Sequence, residues 1–156
     1  MSEEIERKFL LNELPADIAT WPQPATILQG YLQKDQHKDL RIRKKGNKYT
    51  LTAKHGTGLV REENEQEIDK ALFDILWPFT AAARIEKLRY TREIDEGEMV
   101  IDAYLGDLSG LLLMEVEFND EQRARTYSPS LNFAKEVTDD PRYRNAALAA
   151  HGAPAI

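Results

Sequence analysis

The first strand-like stretch of the chain carries charges at a spacing suited to chemistry. Glu4, Glu6 and Lys8 are two residues apart, so in a β-strand their side chains point to one face, while Ile5 and Phe9 point to the other. Carboxylates bind hard divalent cations, and ammonium groups bind phosphate. This single strand therefore presents groups for both kinds of ligand.

The same alternation recurs in later stretches of the chain. Arg41 and Arg43, for example, alternate with Leu40 and Ile42. The charges that alternation places on one face are Lys8, Arg41, Arg43, Lys54, Lys87, Arg89, Glu4, Glu6, Glu63, Glu65, Asp102, Glu115 and Glu117. Because unpaired buried charges cost several kcal/mol each, such a face predicts a wet tunnel with the apolar faces turned outwards. The alternative is a β-sandwich whose solvated faces carry cross-strand salt bridges.

Both signs of charge on one tunnel wall indicate a metal-dependent reaction of a short polyphosphate. Arginine and lysine match phosphate oxygens, whereas the carboxylates would repel such a ligand unless divalent metal accompanied it. Magnesium is bound by one or two carboxylates together with substrate phosphates and water. The three histidines, His37, His55 and His151, show no metal-ligand spacing.

Composition limits the class of protein further. The 156 residues are 42% hydrophobic and 31% charged, which predicts one domain over residues 1–156. A net charge of −6 argues against a nucleic-acid partner, and neither a signal peptide nor a membrane span is recognisable. The absence of cysteine fits a cytoplasmic protein. The possibility of a homodimer stays open.

The elements that must position these charges are predicted to be mainly strands. Alternation and turn signals predict eight strands, at residues 1–11, 26–32, 39–44, 48–54, 60–68, 84–92, 99–105 and 112–118. Helices are expected from Asp69 to Phe79, from Asp120, and from Asp140-Pro141 to near Gly152. Hairpin-length connections predict an antiparallel barrel or a strongly curved sheet.

With these residues in view, the chain closely resembles the CYTH family of triphosphate tunnel metalloenzymes. The ExExK signature of that family stands here as Glu4-Ile5-Glu6-Arg7-Lys8. Further matching stretches are Gln29-Gly30-Tyr31-Leu32, Leu40-Arg41-Ile42-Arg43, Leu51-Thr52-Ala53-Lys54, Arg61-Glu62-Glu63-Asn64-Glu65, Glu86-Lys87-Leu88-Arg89-Tyr90, Ile101-Asp102 and Glu115-Val116-Glu117-Phe118. The closing stretch, residues 136–145, resembles the short bacterial branch. The fold implied is α+β but mainly β, an eight-stranded antiparallel β-barrel forming a tunnel, with flanking helices and a C-terminal helix.

The resemblance also implies roles for individual residues. The phosphates would be held by Lys8, Arg41, Arg43, Lys54, Lys87 and Arg89. Metal, Mg²⁺ or Mn²⁺, would be bound by Glu4, Glu6, Glu63, Glu65, Asp102, Glu115 and Glu117. The residues expected to contribute to catalysis are Glu4, Glu6 and Lys87. Whether Glu67 extends the acidic row into the tunnel is left open.

Similarity to the short bacterial branch favours metal-dependent hydrolysis of inorganic triphosphate to diphosphate and phosphate. The expected partner is this small-molecule substrate, with neither nucleic acid nor membrane. The alternatives are a class IV adenylate cyclase, a thiamine or nucleoside triphosphatase, and a non-catalytic polyphosphate-binding module. Fold and tunnel alone do not fix the substrate.

Overall fold

A closed barrel of eight antiparallel strands forms the body of the protein. The computed structural model describes residues 2–35, 37–56, 59–130 and 132–155. The strands are β1 (Ser2–Leu11), β2 (Ala25–Lys34), β3 (Lys38–Lys45), β4 (Lys48–His55), β5 (Val60–Ile68), β6 (Arg84–Ile94), β7 (Gly97–Tyr104), β8 (Leu112–Phe118) and the additional β9 (Phe133–Glu136). Their order is β5-β4-β3-β2-β6-β7-β8-β1, and β1 pairs again with β5 to close the ring. The predicted barrel is therefore confirmed. Met1, expected to start the first strand, lies outside the described residues.

Short helices flank the barrel. They are α1 (Lys70–Leu76), α2 (Glu121–Thr126) and α3 (Asn145–His151), with 3-10 turns at Ile18–Thr20, Trp77–Thr80, Gly106–Leu108 and Pro141–Tyr143. Asp69 and Asp120 cap α1 and α2 as expected, their side chains accepting hydrogen bonds from the backbone of Leu72 and Arg123. Among the described residues, no helix is long and apolar enough to cross a membrane.

The helix expected up to Phe79 ends earlier. α1 stops at Leu76, and the chain continues as a 3-10 turn that contains Pro78. Proline lacks an N–H and clashes with the preceding helical turn, so the α-helix cannot continue through it. The 3-10 turn packs Thr80 onto β2 at Gly30, where a Cβ atom would lie only 2.4 Å from Thr80 Oγ1. Glycine at position 30 is thus required by this close approach.

The last expected helix consists of two separate pieces. Asp140 caps only the 3-10 turn Pro141–Tyr143, because Arg144 then adopts an extended conformation and α3 starts afresh at Asn145. α3 ends as expected before Gly152. This break brings Arg144 and Asn145 to the cavity described below.

The ninth strand was not predicted. β9 is four residues long and pairs with the end of β1, with a register irregularity between Leu10 and Leu11. Arg7 fixes β9 from the outer face of β1, since its guanidinium donates to both oxygens of Glu136 at 2.8 and 2.6 Å. The following residues are held too: Lys8 N–H donates to Thr138 Oγ1, and Val137 N–H donates to the Lys8 carbonyl.

Apolar side chains cover part of the outside of the barrel and close one of its ends. The outer faces of β1, β7 and β8 form a core with Trp21 and Ala124, as expected for strands with charged inner faces. A second cluster fills one end of the interior. There Tyr143, which is 1% exposed, packs with Leu10, Leu113 and neighbouring residues. The interior is thus charged along the tunnel and apolar at the end that the C-terminal segment plugs.

Candidate active site

The inward faces of the strands surround a charged cavity of about 470 Å³. Antiparallel pairing and period-two alternation place the predicted charges on these faces. The charged residues lining the cavity are Glu3, Glu4, Glu6, Lys8, Asp39, Arg41, Arg43, Lys54, Arg61, Glu63, Glu65, Arg89, Glu98, Glu115, Glu117 and Arg144, accompanied by Tyr31, Val100 and Asn145. Eleven of the thirteen charges that alternation selected are in this lining, and the other two, Lys87 and Asp102, are fully buried.

Three carboxylates converge at one place in the cavity. Oxygens of Glu4, Glu6 and Glu117 all lie within 4.8 Å of one another, and Glu6 is directly opposite Glu117 in the β1–β8 ladder. Burial, with the nearby Glu115 and Glu4 carboxylates, raises the pKa of Glu6 to about 8. Burial and Glu4 also raise the pKa of Glu117. Such crowding of negative charge is relieved by a bound cation, and these three residues offer carboxylate oxygens suited to holding a divalent metal ion.

The remaining acidic positions have different surroundings. Burial raises the pKa of Glu63 to about 7. Glu65 accepts a hydrogen bond from the Thr52 hydroxyl at 2.9 Å. In Glu115, burial would raise the pKa, but Lys8 and Arg89 lower it to about 2. Glu67 is exposed and lies outside the lining of the cavity, although it follows the same alternation.

Two lysines of the lining are already paired with glutamates. Lys54 Nζ lies 3.1 Å from Glu4 Oε1, and Lys8 Nζ lies 3.6 Å from Glu115 Oε1. Lys8 also donates to the backbone carbonyl of Tyr143 at 3.1 Å. The first strand is thereby connected to β4, to β8 and to the C-terminal segment.

Arg41 and Arg43 provide positive charge that no carboxylate of the described residues neutralises directly. Within the described part of the chain, neither forms an ion pair, and Arg43 donates only to the side-chain oxygen of Gln29 at 3.1 Å. Arg41 Nε is buried without a hydrogen-bond partner among those residues. Burial, with neighbouring Arg41 and Arg89, lowers the pKa of Arg43 to about 9. These two guanidinium groups are the most available donors for an anion.

A buried cluster stands beside the cavity. Asp102, 1% exposed, accepts bonds from Arg89 at 2.8 and 2.9 Å and lies 2.7 Å from Lys87 Nζ. Burial opposes ionisation of Asp102, but Arg89 and Lys87 outweigh it and hold its pKa well below the ordinary value. Burial lowers the pKa of Lys87, and Asp102 opposes this. Both oxygens of Asp102 are therefore occupied by cations, which distinguishes it from the convergent glutamates.

Sequence reasoning missed several residues of this site. Asp39 and Arg61 follow the same alternation as their neighbours and could have been selected by it. Arg144 and Asn145 could not be selected by alternation, because they lie outside the strands; the family resemblance implied only that the C-terminal helix near Arg142 to Arg144 lies beside the tunnel mouth. Asn145 Oδ1 accepts hydrogen bonds from the Tyr104 hydroxyl at 2.6 Å and from Lys87 Nζ at 3.3 Å.

A model of the CYTH domain matches residues 2–127 of the chain. The chain belongs to the CYTH family. The matched residues include every strand of the barrel and all thirteen predicted charges, whereas the C-terminal segment that plugs the CYTH barrel lies beyond the match.

Two relatives match this CYTH protein over nearly their whole lengths. It is 42% identical over 149 residues to an inorganic triphosphatase of Nitrosomonas europaea. The matched stretch covers 94% of this chain and 96% of the relative. It is 34% identical over 151 residues to an inorganic triphosphatase of Acetivibrio thermocellus, covering 95% and 94% of the two chains. A solved structure of an inorganic triphosphatase matches with a TM-score of 0.69, 38% identity and 99% of each chain covered.

Proposed function

We propose that this CYTH protein hydrolyses inorganic triphosphate to diphosphate and phosphate inside its tunnel, using Mg²⁺ or Mn²⁺. The observation that carries the proposal is the division of one cavity between two kinds of charge. A convergent group of carboxylates, Glu4, Glu6 and Glu117, shares the cavity with Arg41 and Arg43, which have no acidic partner among the described residues. The function named for the two relatives supports the same substrate.

The carboxylate group is the proposed metal site. Glu4, Glu6 and Glu117 would hold the cation, and Glu63, Glu65 and Glu115 could bind it through water. When bound, such a cation neutralises phosphate oxygens and makes a water molecule more acidic. Asp102 has both of its oxygens on Arg89 and Lys87, so we assign it a positioning role rather than a place among the ligands.

Phosphate binding is assigned to the cations of the lining. Arg41 and Arg43 are adjacent inward positions of β3, and their forked donors fit phosphate oxygens. Arg89, Lys8 and Lys54 would add charge, although each now has a carboxylate close to it. The buried Lys87 would act through the field that it adds to this wall, rather than by direct contact in the arrangement observed.

Water is the proposed nucleophile. The chain has no cysteine, and none of its histidines lines the cavity, so among the usual covalent phosphoryl acceptors only carboxylates lie there, and Glu4, Glu6 and Glu117 are assigned to metal binding instead. The oxygen of water would bond to a terminal phosphorus as the bond from that phosphorus to the bridging oxygen breaks, and the proton that the water loses would pass to the solvent of the tunnel. Diphosphate then leaves, its new negative charge facing the arginines of the tunnel.

The single test that decides the function is a substrate panel. Purified protein is given inorganic triphosphate, ATP or thiamine triphosphate, each with Mg²⁺ and each with EDTA, and released phosphate and diphosphate are measured. Fastest turnover of inorganic triphosphate, abolished by EDTA, is expected. Formation of cyclic AMP from ATP with triphosphate left intact would replace the proposal by an adenylate cyclase, and tight binding without any turnover would leave a polyphosphate-binding module.

We further propose that residues 1–156 act as one domain. The C-terminal segment lies beyond the matched region, but Arg144 and Asn145 line the same cavity as the barrel strands. A chain ending at residue 127 should therefore lose stability and activity. Full activity of that shortened chain would contradict the single-domain proposal.

A further inference from the structure

A second group of charges lies at one end of the cavity. Asp39, at the start of β3, accepts hydrogen bonds at 3.1 Å from Nη2 of Arg61 and from Nη2 of Arg144. Arg61 Nε also donates to the carbonyl of Gly56 at 2.9 Å. The three charged side chains line the cavity and are mostly buried, with exposed fractions of 6%, 9% and 12%. We refer to Asp39, Arg61 and Arg144 as the Asp39 cluster.

The Asp39 cluster lies at the plugged end of the tunnel. Antiparallel pairing places the start of β3 beside the ends of β2 and β4, and α3 contacts β2 and β6 at that end. Arg144 directly follows Tyr143, whose ring packs into the apolar end of the barrel. A linear anion extending along the tunnel towards this end would therefore meet the Asp39 cluster before the plug.

The arginines of the Asp39 cluster differ from those of the proposed phosphate site. Arg41 and Arg43 have no carboxylate partner in the described residues, whereas Arg61 and Arg144 share the carboxylate of Asp39. The cluster consequently has one net positive charge in place of two, and its forked donors already point at a carboxylate. An additional phosphate group here would have to displace Asp39, or lie beside its negative charge.

We propose that Asp39 limits the length of the phosphate chain that the tunnel accepts. By occupying Arg61 and Arg144, its carboxylate denies a fourth phosphate group the contacts that Arg41 and Arg43 offer to the first ones. This inference rests on the proposed triphosphatase function and deepens it: the preferred substrate is linear triphosphate, and longer linear polyphosphates are discriminated against by charge at the plugged end.

The test compares kcat/KM for inorganic triphosphate and for linear tetraphosphate in the wild type and in Asp39→Asn. The substitution keeps the shape of the side chain and removes its charge. We expect the ratio of tetraphosphate to triphosphate activity to rise at least about tenfold, as for the gain of one charge-assisted contact. Asp74→Asn is the matched control, because Asp74 pairs with Lys70 on the exposed surface of α1, and it should leave the ratio unchanged. An unchanged ratio in folded Asp39→Asn would overturn the proposal.

Arg144→Gln separates charge from the loss of bulk. If the charge of the Asp39 cluster sets the preference, Arg144→Gln should lower the ratio of tetraphosphate to triphosphate activity. The double variant of Asp39→Asn with Arg144→Gln should then have a ratio close to that of the wild type. If the cluster acts only as a steric barrier, Arg144→Gln should raise the ratio, which would refute the inference. Arg144→Gln also gives a result if Asp39→Asn fails to fold.

Failure of the proposed function is recognised separately. Wild-type protein that turns over neither phosphate chain would exclude the triphosphatase activity. Because neither chain is then hydrolysed, calorimetric titration of the same variants with triphosphate and with tetraphosphate, in Mg²⁺, measures the same preference as a ratio of Kd values. A shift of about tenfold in favour of tetraphosphate in Asp39→Asn would support the inference, and no shift would end it.

Discussion

Replacing Asp102 by asparagine should destabilise the metal-free protein strongly. Asp102 is the only acid that directly contacts either Arg89 or Lys87 among the described residues, with contacts of 2.7 to 2.9 Å and almost no exposure. Asparagine has nearly the same shape but no charge. The variant therefore leaves the Arg89 guanidinium without its carboxylate and removes the group that raises the pKa of Lys87, in a closed environment close to the positive charge of Arg43.

The size of the loss follows from burial. Removing one partner of a buried ion pair costs about 3–5 kcal/mol, because the remaining charge stays desolvated without compensation. With an m-value of about 2 kcal/mol per molar urea, the unfolding midpoint should fall by about 2 M. The exposed Asp74 provides the matched control, since its partner Lys70 remains in water after Asp74→Asn, and that midpoint should hardly move.

The assay is urea unfolding of the wild type, Asp102→Asn and Asp74→Asn in EDTA, followed by circular dichroism. A second series contains inorganic triphosphate, which should stabilise Asp102→Asn more than the wild type because the anion compensates the charge of Arg89, which lines the cavity. Equal midpoints for Asp102→Asn and Asp74→Asn would refute the reasoning. They would favour the expectation that Asp102 is a metal ligand, since a ligand is not needed in the metal-free state.

Three further predictions concern metal, pH and calcium. In Glu6→Gln and Glu117→Gln the Mg²⁺ concentration for half-maximal turnover should rise at least about tenfold, because each variant loses a charged metal donor. Arg43→Ala should instead mainly raise KM for triphosphate. An equal dependence on Mg²⁺ in all three variants would contradict this prediction. The Arg7 hydrogen bonds lower the pKa of Glu136, so their stabilisation is present above the ordinary carboxyl pKa and is lost as pH falls through the lowered one. Between pH 7 and pH 3, the Tm of Glu136→Gln should fall less than the Tm of the wild type. Parallel curves of Tm against pH would argue against a stabilising Arg7–Glu136 pair. Calcium should inhibit the Mg²⁺ reaction and fail to replace Mg²⁺, because its coordination is looser, at about 2.3–2.6 Å; turnover with calcium alone at the Mg²⁺ rate would show that tight coordination is not needed.

Much of the fold was predictable because the charged residues recur at every second position, which is the spacing of side chains on one face of a β-strand. Each of the eight predicted strands agrees with the structure within two residues at either end, and the barrel is confirmed. β9 escaped because four residues that include Lys135 and Glu136 have little strand signal of their own. Their conformation depends on Arg7, 129 positions away from Glu136 in the chain.

The site was less fully predictable than the fold. Alternation selects a face but does not tell which charges on that face meet each other. Glu6 and Asp102 look equivalent in the sequence, yet Glu6 lies among carboxylates and Asp102 lies between two cations. The C-terminal contribution from Asn145 depends on a break in a helix that local signals predicted to be continuous.

The position of β1 in the barrel has a consequence for how the protein folds. β1 precedes all other strands in the chain, but it pairs with β5, β8 and β9, so its partners are as much as about 130 residues away. Contacts this distant require long loops to close, which slows folding relative to proteins rich in local contacts. Until β8 has been synthesised, Glu6 has no Glu117 opposite it. The carboxylate group therefore assembles only late, and a partly synthesised chain exposes an unpaired β1 edge whose charges oppose association with other chains.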